Sequence, residues 1–189
     1  MIERDFEKDS GEMAAQTGWP GPDSVLARAS VREFTAESVG DEEVRRLLMA
    51  AMAAPSARNQ QPWEFYLTRD RGLLGQLAQA TPYAKPTAGA ALAIVACMRT
   101  TDLASPAFVP QDMGACVENI LVEAAGLGLG TVWMGVAPNR ERMDEVARII
   151  GIPEETDLEP FAIIAVGHPA GKVTPRGPER YDESRIHWM

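Results

Sequence analysis

Residues 90–98 read Ala-Ala-Leu-Ala-Ile-Val-Ala-Cys-Met, nine positions without a charged side chain. An unbroken apolar run of that length fits a strand buried on both faces, with a buried helix as the competing reading. Residues 161–166, Phe-Ala-Ile-Ile-Ala-Val, form a second such run and are expected as another fully buried strand. Both runs need cover from the remaining elements.

Those elements can be placed from periodicity. Residues 1–22 lack a hydrophobic period and contain Gly18, Pro20, Gly21 and Pro22, so they are expected to form an arm ahead of a single domain over 23–189. Asp23 is a candidate N-cap for a short helix through Arg28. From Asp41, the residues Val44, Leu47, Leu48, Ala51 and Met52 fall at helical spacing behind a capping Asp and two first-turn glutamates, and Pro55 ends the helix. Residues 63–68 alternate Trp63, Phe65 and Leu67 with Glu64, Tyr66 and Thr68, the pattern of a half-buried strand. Helices are expected at 73–80, at 111–127 with Met113, Val117, Ile120, Leu121 and Ala124 on one stripe, and at 140–150 capped near Asn139. A short strand is expected at 131–136. On pattern alone, four strands interspersed with helices suggest a parallel α/β sheet. Residues 171–189 have no period yet end in Ile186-His187-Trp188, so this tail is either disordered or docked on something.

Several functions are disfavoured by composition. The net charge is -9 over 189 residues, whereas nucleic-acid binding needs a surplus of Lys and Arg. The N-terminus has no basic-then-apolar secretory pattern, and the longest apolar stretch, 88–98, is too short to span a bilayer. A soluble cytoplasmic protein without membrane or nucleic-acid partners is the expectation. Cys97 and Cys116 sit inside apolar segments and form no C-x-x-C pair, so both read as small core residues. His168 and His187 stand in unrelated contexts, and no zinc motif, G-x-S-x-G elbow or Walker loop occurs. The run Gly126-Leu127-Gly128-Leu129-Gly130 follows a helix and precedes a strand, the reverse of a dinucleotide turn. It reads as a helix C-cap and a tight turn.

Two segments carry candidate chemistry. In Arg28-Ala29-Ser30-Val31-Arg32 the two arginines share a face whether the chain is extended or helical. Two guanidiniums and a hydroxyl suit a phosphate monoester; the alternative is a solvated pair beside the acidic residues that follow. The run Pro55-Ser56-Ala57-Arg58-Asn59-Gln60-Gln61-Pro62-Trp63 crowds small and amide-bearing side chains between two prolines after a helix. It is either a ligand loop or a structural connection.

Taken in order, Arg-x-Ser-x-Arg, Pro-Ser-x-x-Asn-x-Gln-Pro-Trp, Gly-Leu-Gly-Thr-Val-Trp-Met-Gly at 128–135 and a late Pro-Arg at 175–176 resemble the nitroreductase family, from about Ser24 to Trp188. The resemblance implies an α+β fold with a mixed, mainly antiparallel central sheet flanked by helices, replacing the parallel expectation. It also implies a homodimer holding two FMN molecules at the subunit interface, with the C-terminal segment exchanged onto the partner. Arg28, Ala29, Ser30 and Arg32 would hold the FMN phosphate, with Arg176 completing the cradle. Pro55, Ser56, Ala57 and Asn59 would reach the flavin of the other subunit. Trp133, Met134 and Gly135 would lie beside the isoalloxazine ring, and Met134, standing where some relatives carry a carboxylate, would contact it through backbone only. Lys85 is the one candidate for a further ring contact supplied in relatives by residues between the first two strands.

The implied activity is transfer of hydride from NADH or NADPH, through the flavin, to a nitroaromatic, a quinone or a similar electron-poor acceptor in ping-pong turnover. No side chain is required as a catalytic acid. A reductive dehalogenase or flavin-fragmenting enzyme of the same fold, and a non-catalytic flavin-binding protein, are the alternatives.

Overall fold

The computed structural model describes residues 24–153, 155–175 and 180–189. The expected N-terminal arm, the Asp23 cap and Arg176 lie outside them. Among the described residues the helices are α1 (Ser24–Ala27), α2 (Asp41–Met52), α3 (Arg71–Leu77), α4 (Val109–Gly126) and α5 (Arg140–Ile150). The strands are β1 (Trp63–Thr68), β2 (Leu92–Arg99), β3 (Gly130–Gly135) and β4 (Leu158–Gly167). The apolar run at 90–98 is therefore a strand, not a buried helix.

The strands form one sheet in the order β1-β2-β4-β3, with every neighbouring pair antiparallel. This corrects the parallel sheet expected from the element pattern. β2 and β3, joined by α4, do point the same way, but β4 inserts between them and runs opposite to both. Periodicity fixes which residues are buried and says nothing about which strand lies beside which. Pro160 lies in β4 opposite Cys97, where the β2–β4 register shifts. A proline that cannot donate to the ladder is accommodated at such an irregularity.

Burial on both faces explains the unbroken apolar runs. Leu92, Ile94 and Ala96 of β2 pack with Leu47 and Ala51 of α2 and with Met113, Val117, Ile120 and Ala124 of α4. The alternate residues Ala93, Val95 and Cys97 face Leu74 and Leu77 of α3 and Met143, Val146 and Ile149 of α5. Each large aliphatic buried here contributes about 1.5–3 kcal/mol relative to exposure. Polar contacts fix how α2 lies on α4: Asn119 donates to the Ala50 carbonyl at 2.9 Å, and Arg46 pairs with the buried Glu123.

Local signals account for the helix ends. The Asn139 side chain accepts from the Arg142 N–H at 3.0 Å, and Gly151 closes α5 with φ 74°. α2 differs from expectation, because its cap position is Gly40 and Asp41 is already helical. Glu43 reaches back instead, its Oε2 accepting from the Gly40 N–H at 2.7 Å.

Candidate functional site

The segment after α1 is extended and lies along the outer edge of β3. Ser30 makes a parallel bridge with Thr131, and the Val31 N–H donates to the Thr131 carbonyl at 2.8 Å. Further on, Thr35 donates to the His168 carbonyl and Ala170 to that of Glu33, clamping the chain beyond the end of β4. This approach needs glycines. A Cβ on Gly130 would stand 2.7 Å from Val31 Cγ1, and one on Gly167 would stand 3.0 Å from the Phe34 ring. Gly130 and Gly167 are partners in the β3–β4 register, so the sheet is bare where the segment crosses it.

Extended backbone places Arg28, Ser30 and Arg32 at alternate positions along a cleft of about 500 Å³. Val173, Lys172, Thr174 and Arg180 of the C-terminal segment help line it. Four cations, Arg28, Arg32, Lys172 and Arg180, thus meet Glu33 as the single acid among the described lining residues, within a chain of net charge -9. The Nε of Arg28 is fixed on Glu118 of α4 at 2.9 Å, which orients the guanidinium and leaves its terminal N–H groups for a ligand. Lys172 and Arg180 were not anticipated from sequence. Their only signal was that the aperiodic tail is rich in cations.

The 55–63 run forms a tight loop whose central turn is a 3₁₀ helix, Ala57–Asn59. Arg58, Asn59 and Gln61 have φ of 52°, 55° and 44°, a region where non-glycine residues are strained. The Ser56 hydroxyl accepts from the Gln61 N–H at 3.0 Å, and Asn59 Oδ1 accepts from the Gln61 side chain at 3.3 Å. Beneath the loop, the Ala57 N–H donates to Asp112 Oδ1 at 2.9 Å, and Gln60 Nε2 donates to Asp112 Oδ2 at 2.6 Å. Pro55, Arg58, Asn59 and Gln61 are exposed, while Ser56 and Ala57 are half-buried. None of residues 55–61 lines the cationic cleft, so the structure does not bring the two motifs together within one chain.

Trp133 is half-buried, its ring tilted 52° to that of Phe161 at a centroid distance of 5.9 Å. The Met134 side chain is buried on the opposite face, where the Thr87 hydroxyl meets its sulfur at 3.9 Å. Gly135 is exposed. Because the Thr131 carbonyl points to the outer edge, strand alternation sends the backbone groups of Trp133 and Gly135 to that edge as well. Lys85 opens the 3₁₀ segment Lys85–Gly89 and is exposed.

Both thiols are buried on opposite faces of the sheet, and burial pushes each up to about 12. They are protonated and unreactive at neutral pH. Among the described residues no cluster of His, Cys, Asp and Glu is arranged to hold a metal, and no helix is long and apolar enough to cross a membrane.

Comparison with known proteins agrees with this arrangement. The model of the nitroreductase family matches residues 25–84 and 76–168. A protein of Archaeoglobus fulgidus with the provisional name NADH dehydrogenase/NAD(P)H nitroreductase is 36% identical over 166 residues, covering 86% of this chain and 94% of that protein. The crystal structure of a provisionally named NADH oxidase from Clostridium acetobutylicum superposes with a TM-score of 0.83 at 38% identity, covering 87% of this chain and 98% of the other. A provisionally assigned nitroreductase of Desulfovibrio desulfuricans, solved in complex with FMN, gives 0.70 at 31% identity, with 86% and 97% covered. With its antiparallel sheet covered by helices, its Ser30 segment docked on β3 and its matched length, the chain belongs to the nitroreductase family.

Proposed function

We propose that this chain is an FMN-dependent oxidoreductase that oxidises NADH or NADPH and reduces nitroaromatic, quinone or similar electron-poor acceptors. The observation that carries the reading is the cleft in which Arg28, Ser30, Arg32, Lys172 and Arg180 converge beside an open strand edge. Phosphate suits these donors, since guanidinium groups and a hydroxyl make charge-assisted bonds to its oxygens. Arg176 is assigned to the same cradle on the family resemblance. β3 rises about 3.3 Å per residue, so Gly135 lies about 13 Å along the edge from Thr131. That span accommodates a ribityl chain and brings a ring system to Trp133, Met134 and Gly135, with the edge amide of Gly135 available as donor. When bound, FMN supplies the two-electron carrier between the nicotinamide and the acceptor.

The protein's own part is to bind, orient and exclude water. Met134 is committed to the core and its backbone N–H and C=O turn to β4, so the ring is offered the edge groups of Trp133 and Gly135. Pro55, Ser56, Ala57 and Asn59 do not line their own chain's cleft, and we assign them to the cofactor of a second copy. A homodimer is supported by a groove of Val44, Leu48, Met49, Met52, Leu67 and Leu92 along α2 and the edge of β1, in which Met49 is 56% and Met52 52% exposed. The tail offers a matching apolar end, with Trp188 95% exposed; we assign it to the partner's surface.

The test is the visible spectrum of the purified protein with added FMN, before and after NADH and then NADPH under nitrogen. A flavin band that bleaches with either nucleotide and returns on adding a quinone is the expected result. Failure to bind FMN, or a bound flavin that neither nucleotide bleaches, overturns the reading.

A further inference from the structure

Beneath the Ser56–Gln61 turn lies a set of buried polar groups that touch no part of the cleft. Asp112 of α4 is 5% exposed and Gln60 is 9% exposed. The Gln60 amide has both donors and its acceptor in use: Nε2 donates to Asp112 Oδ2 at 2.6 Å and to the Ser105 carbonyl at 3.0 Å, while Oε1 accepts from the Ser105 N–H at 2.9 Å. The other Asp112 oxygen accepts the Ala57 N–H at 2.9 Å, at the start of the 3₁₀ turn. Arg99 Nη2 donates to the carbonyls of Gln60 and Gln61 at 2.9 and 3.0 Å, and its backbone N–H donates to the Pro62 carbonyl at 2.8 Å.

These bonds surround three of the four described non-glycine residues that hold positive φ, Arg58, Asn59 and Gln61; the fourth, Asp102, lies outside the turn. Such backbone persists only where its surroundings over-determine it, and it concentrates at ligand sites. A carboxylate taking the Ala57 N–H and a guanidinium donating to the Gln60 and Gln61 carbonyls exceed what a helix-to-strand connection requires. What the grip presents outward is the half-buried Ser56 and the exposed Asn59.

We propose that Asp112, Gln60 and Arg99 are positioning residues that hold the Ser56–Gln61 turn in its strained shape before any flavin binds, so that Ser56 and Asn59 meet the cofactor preformed. This rests on the flavin reading above. It differs from a purely structural role in one respect: loss of the grip lowers cofactor affinity in a protein that remains folded, because the bound state must then order the turn again.

Asp112→Asn is the discriminating change. The substituted side chain can still accept from the Ala57 N–H through its remaining oxygen, but its N–H₂ then faces Gln60 Nε2, which the Ser105 carbonyl holds in place. One bond is lost and two donors oppose each other. Gln60→Glu is the second variant; it sets a carboxylate oxygen against both Asp112 and the Ser105 carbonyl. Two readouts apply: hydrogen exchange at the Ala57 and Gln61 amides of the flavin-free protein, and the FMN dissociation constant. The native protein is expected to protect both amides without FMN. Either variant is expected to keep the native circular dichroism, lose that protection and bind FMN about tenfold more weakly, the change a single charge-assisted bond commands. Native FMN affinity in a folded variant, or unprotected amides in the native flavin-free protein, overturns the proposal. Native protein that protects the turn and binds no FMN instead overturns the flavin reading while leaving the preformed turn standing.

Discussion

Replacing Gly130 with alanine sets a methyl group against Val31. The new Cβ falls 2.7 Å from Val31 Cγ1, 2.8 Å from Val31 Cβ and 3.0 Å from Cγ2. Rotating Val31 does not relieve contact with its own Cβ, and a β-branched side chain has few rotamers to offer. The segment must therefore lift from β3, breaking the 2.8 Å bond from the Val31 N–H to the Thr131 carbonyl. The lost bond is worth about 0.5–1.5 kcal/mol and the overpacking about 1–3 kcal/mol, so roughly 1.5–4.5 kcal/mol acts against the seated segment. Ser30 and Arg32 flank Val31 and leave with it. If only the seated form binds the phosphate, FMN affinity falls by up to the same free energy, at most about tenfold at the low end and about a thousandfold at the high end. Titration of apo-protein into FMN, followed by flavin fluorescence, measures this directly. Gly75→Ala is the control: it lies inside α3 with nothing within 4 Å of the added carbon, and should bind FMN normally while gaining about 0.5–1 kcal/mol of stability. Native FMN affinity in Gly130→Ala would refute the claim that this close approach seats the phosphate segment.

Three further outcomes are expected. Arg32→Ala should remove a charged phosphate contact worth about 1.5–3 kcal/mol, so the protein should purify with little colour and show weakened FMN affinity by titration; undiminished affinity counts against the cradle. Met52→Glu buries a charge wherever the α2 groove is covered by a second copy, so sedimentation should show a monomer where the native chain is a dimer; an unchanged dimer shifts the interface elsewhere. The third concerns the two buried thiols, both pushed up to about 12. An unfolded thiol ionises near pH 8.5, so between about pH 9 and 12 the unfolded chain has lost protons that the folded one keeps. Stability is then full below about pH 8.5 and falls by about 1.4 kcal/mol per thiol for each pH unit above it. Urea midpoints from pH 8 to 10.5 should drop less steeply for a Cys97→Ala/Cys116→Ala protein than for the native one; parallel curves would refute the burial argument.

What could be read in advance follows from the range over which each feature acts. α5 was legible because its apolar stripe, its Asn139 cap and its closing Gly151 all fall within about a dozen residues. β1 was legible because Trp63, Phe65 and Leu67 alternate locally. Strand order was not, since the insertion of β4 between β2 and β3 leaves no mark on the period of any strand. In the site, Arg28, Ser30 and Arg32 were visible as a spaced triplet, whereas Lys172 and Arg180 line the same cleft from about 140 positions further along the chain. The grip on the 55–63 loop was the least accessible. Gln60 and Asp112 are 52 positions apart, and in the sequence Asp112 is one polar residue near the start of a helical stripe.

The separation of the two candidate half-sites is the strongest internal argument for a dimer. Arg28 is tied to Glu118, and the loop is tied to Asp112, six residues earlier on the same helix. That is about 9 Å along the axis and well over one turn around it. One attachment is a part-exposed ion pair and the other runs through the buried Gln60 amide. On the proposed reading a ligand that uses both takes them from different chains, since none of residues 55–61 lines the cleft of its own chain. A twofold axis supplies this economically, because it pairs the cleft of each copy with the loop of the other and makes two equivalent sites at once. On the proposed reading, α4 is the ruler that keeps the halves apart within a subunit, and the dimer is what makes them one site.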